Sequence, residues 1–176
     1  SDVSEKSLSM AERLLKGYIA SGACVPVCCD GLEKVERGDD LVLIAGMGGE
    51  EILKILKNSY IPKAFVFQPM KNARQLREYL LERGCALEYD GLFTETRAGI
   101  TKHYFAIKGR AEGGTLCPYT EEELAFGRDS IGTPELKELL NCELEKNLAY
   151  AQGDLSPDSR EGVEKRIAFI QGVLEK

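Results

Sequence analysis

The sequence predicts an α/β fold: a largely parallel sheet with helices on both faces, followed by an antiparallel helical hairpin. Three observations carry this. Short apolar runs and amphipathic segments alternate up to residue 83, and such alternation builds crossovers between parallel strands. The run Leu41-Val42-Leu43-Ile44-Ala45 is apolar without interruption, as in a strand covered on both sides. Near the C-terminus, two segments with apolar residues at helical spacing follow the capping pairs Thr133-Pro134 and Ser156-Pro157.

In chain order, residues 5–19 place Leu8, Ala11, Leu14, Leu15 and Tyr18 at helical spacing, and Gly22 ends that helix. Asp2-Val3-Ser4 reads as a strand end passing directly into it, so the chain is expected to be cut from a longer polypeptide. Residues 24–29 form a short apolar run, expected as a strand, with Pro26 confining it to an edge or an end. Asp30-Gly31 turns the chain. A strand over 40–45 is followed by Gly46-Met47-Gly48-Gly49 and a helix over 50–58. A strand over 64–67 ends at Gln68-Pro69, and a helix over 72–83 stops at Gly84. Strands over 86–94 and 101–108 lie too close for a crossover and form a hairpin through Arg97-Ala98-Gly99, which makes the sheet mixed.

Residues 111–132 are rich in Gly and Glu and read as a linker. Leu136, Leu140, Leu144 and Leu148 recur every four residues, and Gly153-Asp154 breaks the pattern. Val163, Ile167, Ile170 and Leu174 form a short coiled-coil-like heptad seam. The expected division is a sheet domain over 1–110, a linker over 111–132 and a helical hairpin over 133–176. The seam is expected to pack within the hairpin, in a monomer.

The 176 residues include 43% apolar and 30% charged, ordinary for a soluble globular protein. No apolar run approaches the ~20 residues of a membrane span, and no basic segment followed by an apolar stretch opens the chain. The six cysteines include no C-x-x-C pair and there is one His, so no metal site is expected. The adjacent Cys28 and Cys29 read as reduced, buried thiols of a cytoplasmic protein. Net charge is −6, but residues 63–110 hold nine Lys/Arg against five Asp/Glu. A local basic face able to meet a polyanion is therefore expected.

Three strand ends hold the residues suited to chemistry, because ligands of open α/β sheets bind beyond the carboxyl ends of the strands. They are Asp2, Asp30-Gly31, and Ala45-Gly46-Met47-Gly48. One acid there can accept from ribose hydroxyls and another from an exocyclic amine, while glycines let backbone approach a planar ligand. Together they suit a nucleoside. Each alone has an ordinary reading, as a turn, a helix cap or a phosphate-cradling loop. Gln68-Pro69 ends the next strand. Lys71, Arg74 and Arg77 follow at intervals of three, on one helix face, where they either contact phosphate or are simply solvated. Of His103 and Tyr104, strand alternation buries one.

The motifs I-A-G-M-G-G at 44–49, Q-P at 68–69, Q-L-R-E-Y-L at 75–80 and C-D-G-L-E at 29–33 resemble the bacterial tRNA (adenine 22, N1)-methyltransferases, the TrmK family. The resemblance implies a Rossmann-like class I methyltransferase sheet, S-adenosylmethionine as cofactor, and tRNA as partner, methylated at N1 of an adenine. It places Asp2 on the cofactor ribose, Asp30 and Gly31 beside its adenine, and Ala45, Gly46, Met47 and Gly48 along the methyl-transfer site. Gln68 and Pro69 are then expected at the entrance for the target base, with Lys71, Arg74, Arg77 and Tyr104 as further substrate contacts and the helical hairpin holding tRNA. Family members carry, before the ribose acid, a strand and loop similar to D-I-G-S-D-H. That loop holds the methionine part of the cofactor and contributes an acid tied to catalysis. The sheet is therefore expected to be incomplete at its N-terminus, with the catalytic acid upstream of Ser1. Met70 stands where the family usually has Asn, and Phe105 where an acid commonly follows Tyr104. Two other readings remain: a methyltransferase-like nucleoside-binding domain with another substrate, and a non-catalytic binding module.

Overall fold

The computed structural model describes residues 1–38, 41–114 and 118–176. Asp40, expected to begin a strand, and Cys117 lie outside the described residues. The N-terminal segment forms helices α1 (Glu5–Leu14) and α2 (Lys16–Ala20), one expected helix broken at Leu15. Ser4 caps α1, its hydroxyl accepting from Ser7 N.

The sheet contains β1 (Leu41–Met47), β2 (Ala64–Pro69), β3 (Cys85–Arg97) and β4 (Ile100–Gly113) in the order β1-β2-β4-β3. β1 and β2 are parallel, and β4 is inserted antiparallel between β2 and β3. The mixed sheet thus follows from the hairpin, which turns through Ala98 and Gly99. Both have positive φ, the turn geometry that matches strand twist. Helix α3 (Gly49–Asn58) joins β1 to β2, and α4 (Ala73–Glu82) joins β2 to β3. Both crossovers advance the same way across the sheet, so right-handedness places both helices on one face.

That face holds the first core: Phe65, Phe67 and Ile107 beneath Ile52 and Leu56 of α3 and Leu76 and Leu80 of α4. Cover on both faces is not found for β1. Leu41 and Leu43, on the other face, are 58% and 65% exposed. The run at 24–29 is also not a strand. Among the described residues its one pairing is a parallel bridge from Cys28 to Asp2. Cys29 is buried, as expected, but Cys28 is exposed.

Regular elements occur among the described residues of 111–132. β4 runs to Gly113, and α5 (Glu121–Phe126) begins with a reciprocal cap between Thr120 and Glu123. One 3₁₀ turn (Arg128–Ser130) follows. Helices α6 (Pro134–Ala151) and α7 (Pro157–Leu174) form the expected hairpin, capped by Thr133 and Ser156. Their apolar faces do more than meet each other. Leu136, Leu140, Ile170 and Val173 enclose Leu92 of β3, with Phe105 of β4 packed alongside. The seam shifts accordingly: Val173 is buried, while Leu174 and Ile167 are half-buried. Among the described residues no helix is long and apolar enough to cross a membrane.

Candidate nucleoside site

The carboxyl ends of the Asp2 bridge, the Cys28-Cys29 segment and β1 converge on one cavity of about 370 Å³. Asp2 is held by its backbone: its N–H donates to Val27 O, and its carbonyl accepts from Cys29 N, both at 3.2 Å. Its Oδ1 accepts from Ser4 N at 2.7 Å, turning the chain into α1. Among the described residues, Oδ2 of Asp2 and both carboxylate oxygens of Asp30 have no hydrogen-bond partner. Two carboxylates with free lone pairs therefore border the cavity. Next to them, Gly31 has φ +54°, and a Cβ there would lie 2.7 Å from the Ile55 side chain. Only glycine fits that position.

The Gly-rich run after β1 divides its duties. Gly46 has φ +77° at a ladder irregularity, and its N–H donates to Gln68 Oε1 at 3.0 Å. Met70 N donates to Met47 O, and Gly49 N to Lys71 O, each at 2.8 Å. A Cβ on Gly49 would lie 2.3 Å from Asn72 O, so Gly49 exists for the close approach of two loops. Gly48 caps α3, with its N–H bound by Glu51 at 2.6 Å. Glu51 went unrecognised in the sequence, although its place three residues after the cap was a legible signal. It lines a smaller adjoining cavity of about 140 Å³, which shares Asp30, Leu32, Met47 and Ile55 with the first.

Asp2, Asp30, Gly31, Ala45, Gly46 and Met47 are thus brought together, with Gly48 just beyond. Gln68 reaches the same edge through Gly46. Two expected substrate contacts are not at the surface. Pro69 is fully buried and shapes the loop from below. Arg77 is 0% exposed. Its Nε donates to Asp90 Oδ1 and Oδ2 at 2.8 and 2.9 Å, and its Nη1 to Leu124 O and Ala125 O. The reason is registry: Arg77 follows Leu76 and precedes Leu80 on the inward face of α4, where Asp90 of β3 supplies a counter-charge. Burial pushes the Asp90 carboxyl up from its usual range, and the Arg77 guanidinium acts against that push.

Lys71, Arg74 and Arg77 consequently do not form one exposed face. Lys71 precedes α4 and lays its stem over Gly48. Arg74 is bound at 2.8 Å to both Glu78 and Glu121, and the Glu121 hydrogen bond leads in raising its pKa. Lys108 and Arg110 pair with Glu88, whose pKa they lower. Much of the positive charge over 63–110 is therefore already neutralised. Tyr104 lies on β4 against Phe93 of β3, ring centroids 5.4 Å apart. His103 is on the opposite face, its Nε2 3.8 Å from Glu138 of α6.

A sheet with helical crossovers and a cavity at the carboxyl end of β1 is the layout of an open α/β domain. The chain belongs to the methyltransferase domain family, whose model matches residues 1–101. Its fold is that of Mycoplasma capricolum TrmK, solved with S-adenosylhomocysteine. TM-score is 0.83 at 20% identity over 99% of this chain and 78% of that one. A Streptococcus agalactiae protein of the NADB-Rossmann superfamily matches at TM-score 0.78 and 22% identity, over 99% and 78% of the two chains. Bacillus subtilis TrmK, an m1A22 tRNA methyltransferase, matches at TM-score 0.73 and 18% identity, over 98% and 79%. No curated protein matches by sequence.

S-adenosylmethionine is the cofactor this domain implies. The residues present fit its nucleoside half. Ribose hydroxyls and the adenine amine are donors, and Asp2 and Asp30 offer unpartnered acceptors across a cavity whose rim at Gly31 and Gly46 carries no side chain.

Proposed function

We propose that the chain is the nucleoside-facing part of an S-adenosylmethionine-dependent methyltransferase that modifies N1 of an adenine in tRNA. The observation that carries this reading is the 3.0 Å hydrogen bond from Gly46 N to Gln68 Oε1. It joins the cavity rim to the strand end where a target base would enter. The name of the B. subtilis neighbour supports the same substrate.

Bound S-adenosylmethionine supplies an electrophilic methyl group. In this reading Asp2 accepts from its ribose hydroxyls, and Asp30 with Gly31 borders its adenine. Ala45, Gly46, Met47 and Gly48 line the place of transfer. Adenine N1 carries a lone pair and is unprotonated at neutral pH, so no strong base is required. Alignment then dominates, with effects up to ~7–11 kcal/mol in ideal cases. The target base must leave its stack, and Gln68, Lys71 and Tyr104 stand on the side where it arrives. The acid that disperses the developing charge lies in the element expected before Ser1. Residues 1–110 form the cofactor unit, and the hairpin over 133–176 steadies the rest of the tRNA, in the cytoplasm.

The test is methyl transfer from labelled S-adenosylmethionine to unmodified tRNA, with mass analysis of nucleosides, using the natural-length gene product beside this chain. 1-Methyladenosine formed by the natural-length protein is the expected result. Its absence overturns the substrate assignment.

A further inference from the structure

The last pair of the β2–β4 ladder is Phe67 with Ile107. Beyond it, residues 100–106 of β4 pair only with residues 91–97 of β3. This two-stranded ribbon projects past the carboxyl end of β2, at Gln68 and Pro69. Its two faces differ. Leu92 and Phe105 point to α6 and α7 and are enclosed by them. The other face carries Phe93 and Tyr104 directly opposite each other, stacked at 25° between ring planes, with Phe93 44% exposed. By strand alternation Glu95, Arg97, Ile100 and Lys102 share that face, with Ile100 64% exposed at the ribbon's tip. Arg97 and Lys102 are exposed and make no ion pair among the described residues, although Glu95 is Lys102's cross-strand partner.

Scattered exposed apolar residues need no explanation. An aromatic pair in register, flanked by two unpaired cations and one carboxylate, is a different arrangement. An aliphatic protein partner would gain little from the cations. A phosphate chain with splayed bases uses both features, because every base has a π-face and every link a negative charge.

We propose that Phe93 and Tyr104 form a stacking platform for an unpaired base of a single-stranded RNA segment, with Arg97 and Lys102 on the adjoining phosphates. This rests on the nucleic-acid reading above and adds a subsite to it. The platform stands beside the strand end that carries Gln68, so it would hold a base neighbouring the target rather than the target itself.

The test uses a five-nucleotide single-stranded RNA with a central 2-aminopurine, whose fluorescence falls on stacking. Adding the chain is expected to quench it. Phe93→Leu and Tyr104→Leu keep apolar bulk but remove the π-face, and are expected to weaken binding about 5- to 100-fold. Arg97→Glu with Lys102→Glu changes only exposed side chains and is expected to flatten the log–log salt slope by roughly 1.4. Circular dichroism of each variant reports folding. Absence of quenching in the wild type overturns the proposal, as does equal quenching in the leucine variants. Light scattering that shows these variants shifting self-association instead of RNA binding also overturns it. Quenching without methyl transfer to tRNA defeats the proposed function alone. Methyl transfer indifferent to both leucine variants defeats the platform alone.

Discussion

At the scale of single residues, the strongest constraints are steric and electrostatic. Gly31 sits at positive φ with Ile55 where a Cβ would go. Gly31→Ala is therefore expected to destabilise the chain by more than about 1 kcal/mol and to abolish thermal stabilisation by S-adenosylhomocysteine. A melting curve with and without that compound reads both effects. Arg77 and Asp90 are 0% and 1% exposed, and the guanidinium also holds two carbonyls of α5 and lies 5.0 Å from the Phe105 ring centroid. Removing one partner leaves a buried charge, so Arg77→Met is expected to cost about 3–5 kcal/mol, measured by the urea midpoint. Unchanged stability would show that Arg77 is not the buried anchor described here. The sequence displayed Arg77 among cations three residues apart, which suggested an exposed face. Helical spacing alone cannot tell which cation meets a buried carboxylate brought from 13 residues away.

At the scale of elements, loops that looked plain in the sequence do the joining. Lys176, after α7, binds Glu122 at the start of α5 at 2.6 Å. This ammonium, assisted by the Thr120 hydroxyl, lowers the Glu122 pKa from an ordinary 4.5 to about 2. A lowered carboxylate pKa stabilises the folded form above the unfolded pKa and loses that contribution as pH falls through the folded one. The clasp between α5 and α7 is therefore expected to loosen between about pH 4.5 and pH 2. Amide exchange in α5 should rise over that window in the wild type and show no such step in Lys176→Ala. Exchange that is flat in the wild type would argue against the clasp. The helical hairpin itself was legible because Thr133-Pro134 and Ser156-Pro157 are strong start signals, and both cap as read. The 24–29 run misled because its apolar composition resembles a strand, while its pairing among the described residues is a single bridge to Asp2.

At the scale of the whole molecule, two cores share one sheet. The first lies under α3 and α4, and the second joins β3 and β4 to α6 and α7. The Arg77–Asp90 pair and its carbonyl acceptors on α5 sit between them. Unfolding is expected to be one cooperative transition, with far-ultraviolet and tyrosine signals coincident. Leu140→Ala, in the second core, is expected to lower stability by about 2–5 kcal/mol and to move both signals together. Separate transitions would show that the hairpin over 133–176 is an independent unit.

The sequence by itself determined the strands and helices from 41 to 108, the hairpin that makes the sheet mixed, the capped helical pair, and the acids and glycines at Asp2, Asp30-Gly31 and 46–49. Those features follow from local rules of period, capping and backbone freedom, which need no knowledge of distant neighbours. Only the tertiary structure decided that Pro69 and Arg77 are buried and that Arg74 is already paired. It likewise decided that α6 and α7 cover one face of the ribbon and leave Phe93 beside Tyr104 on the other. Burial and ion pairing are properties of what the chain brings alongside a residue. Partners such as Asp90 and Glu121 lie 13 and 47 positions away from the arginines they hold.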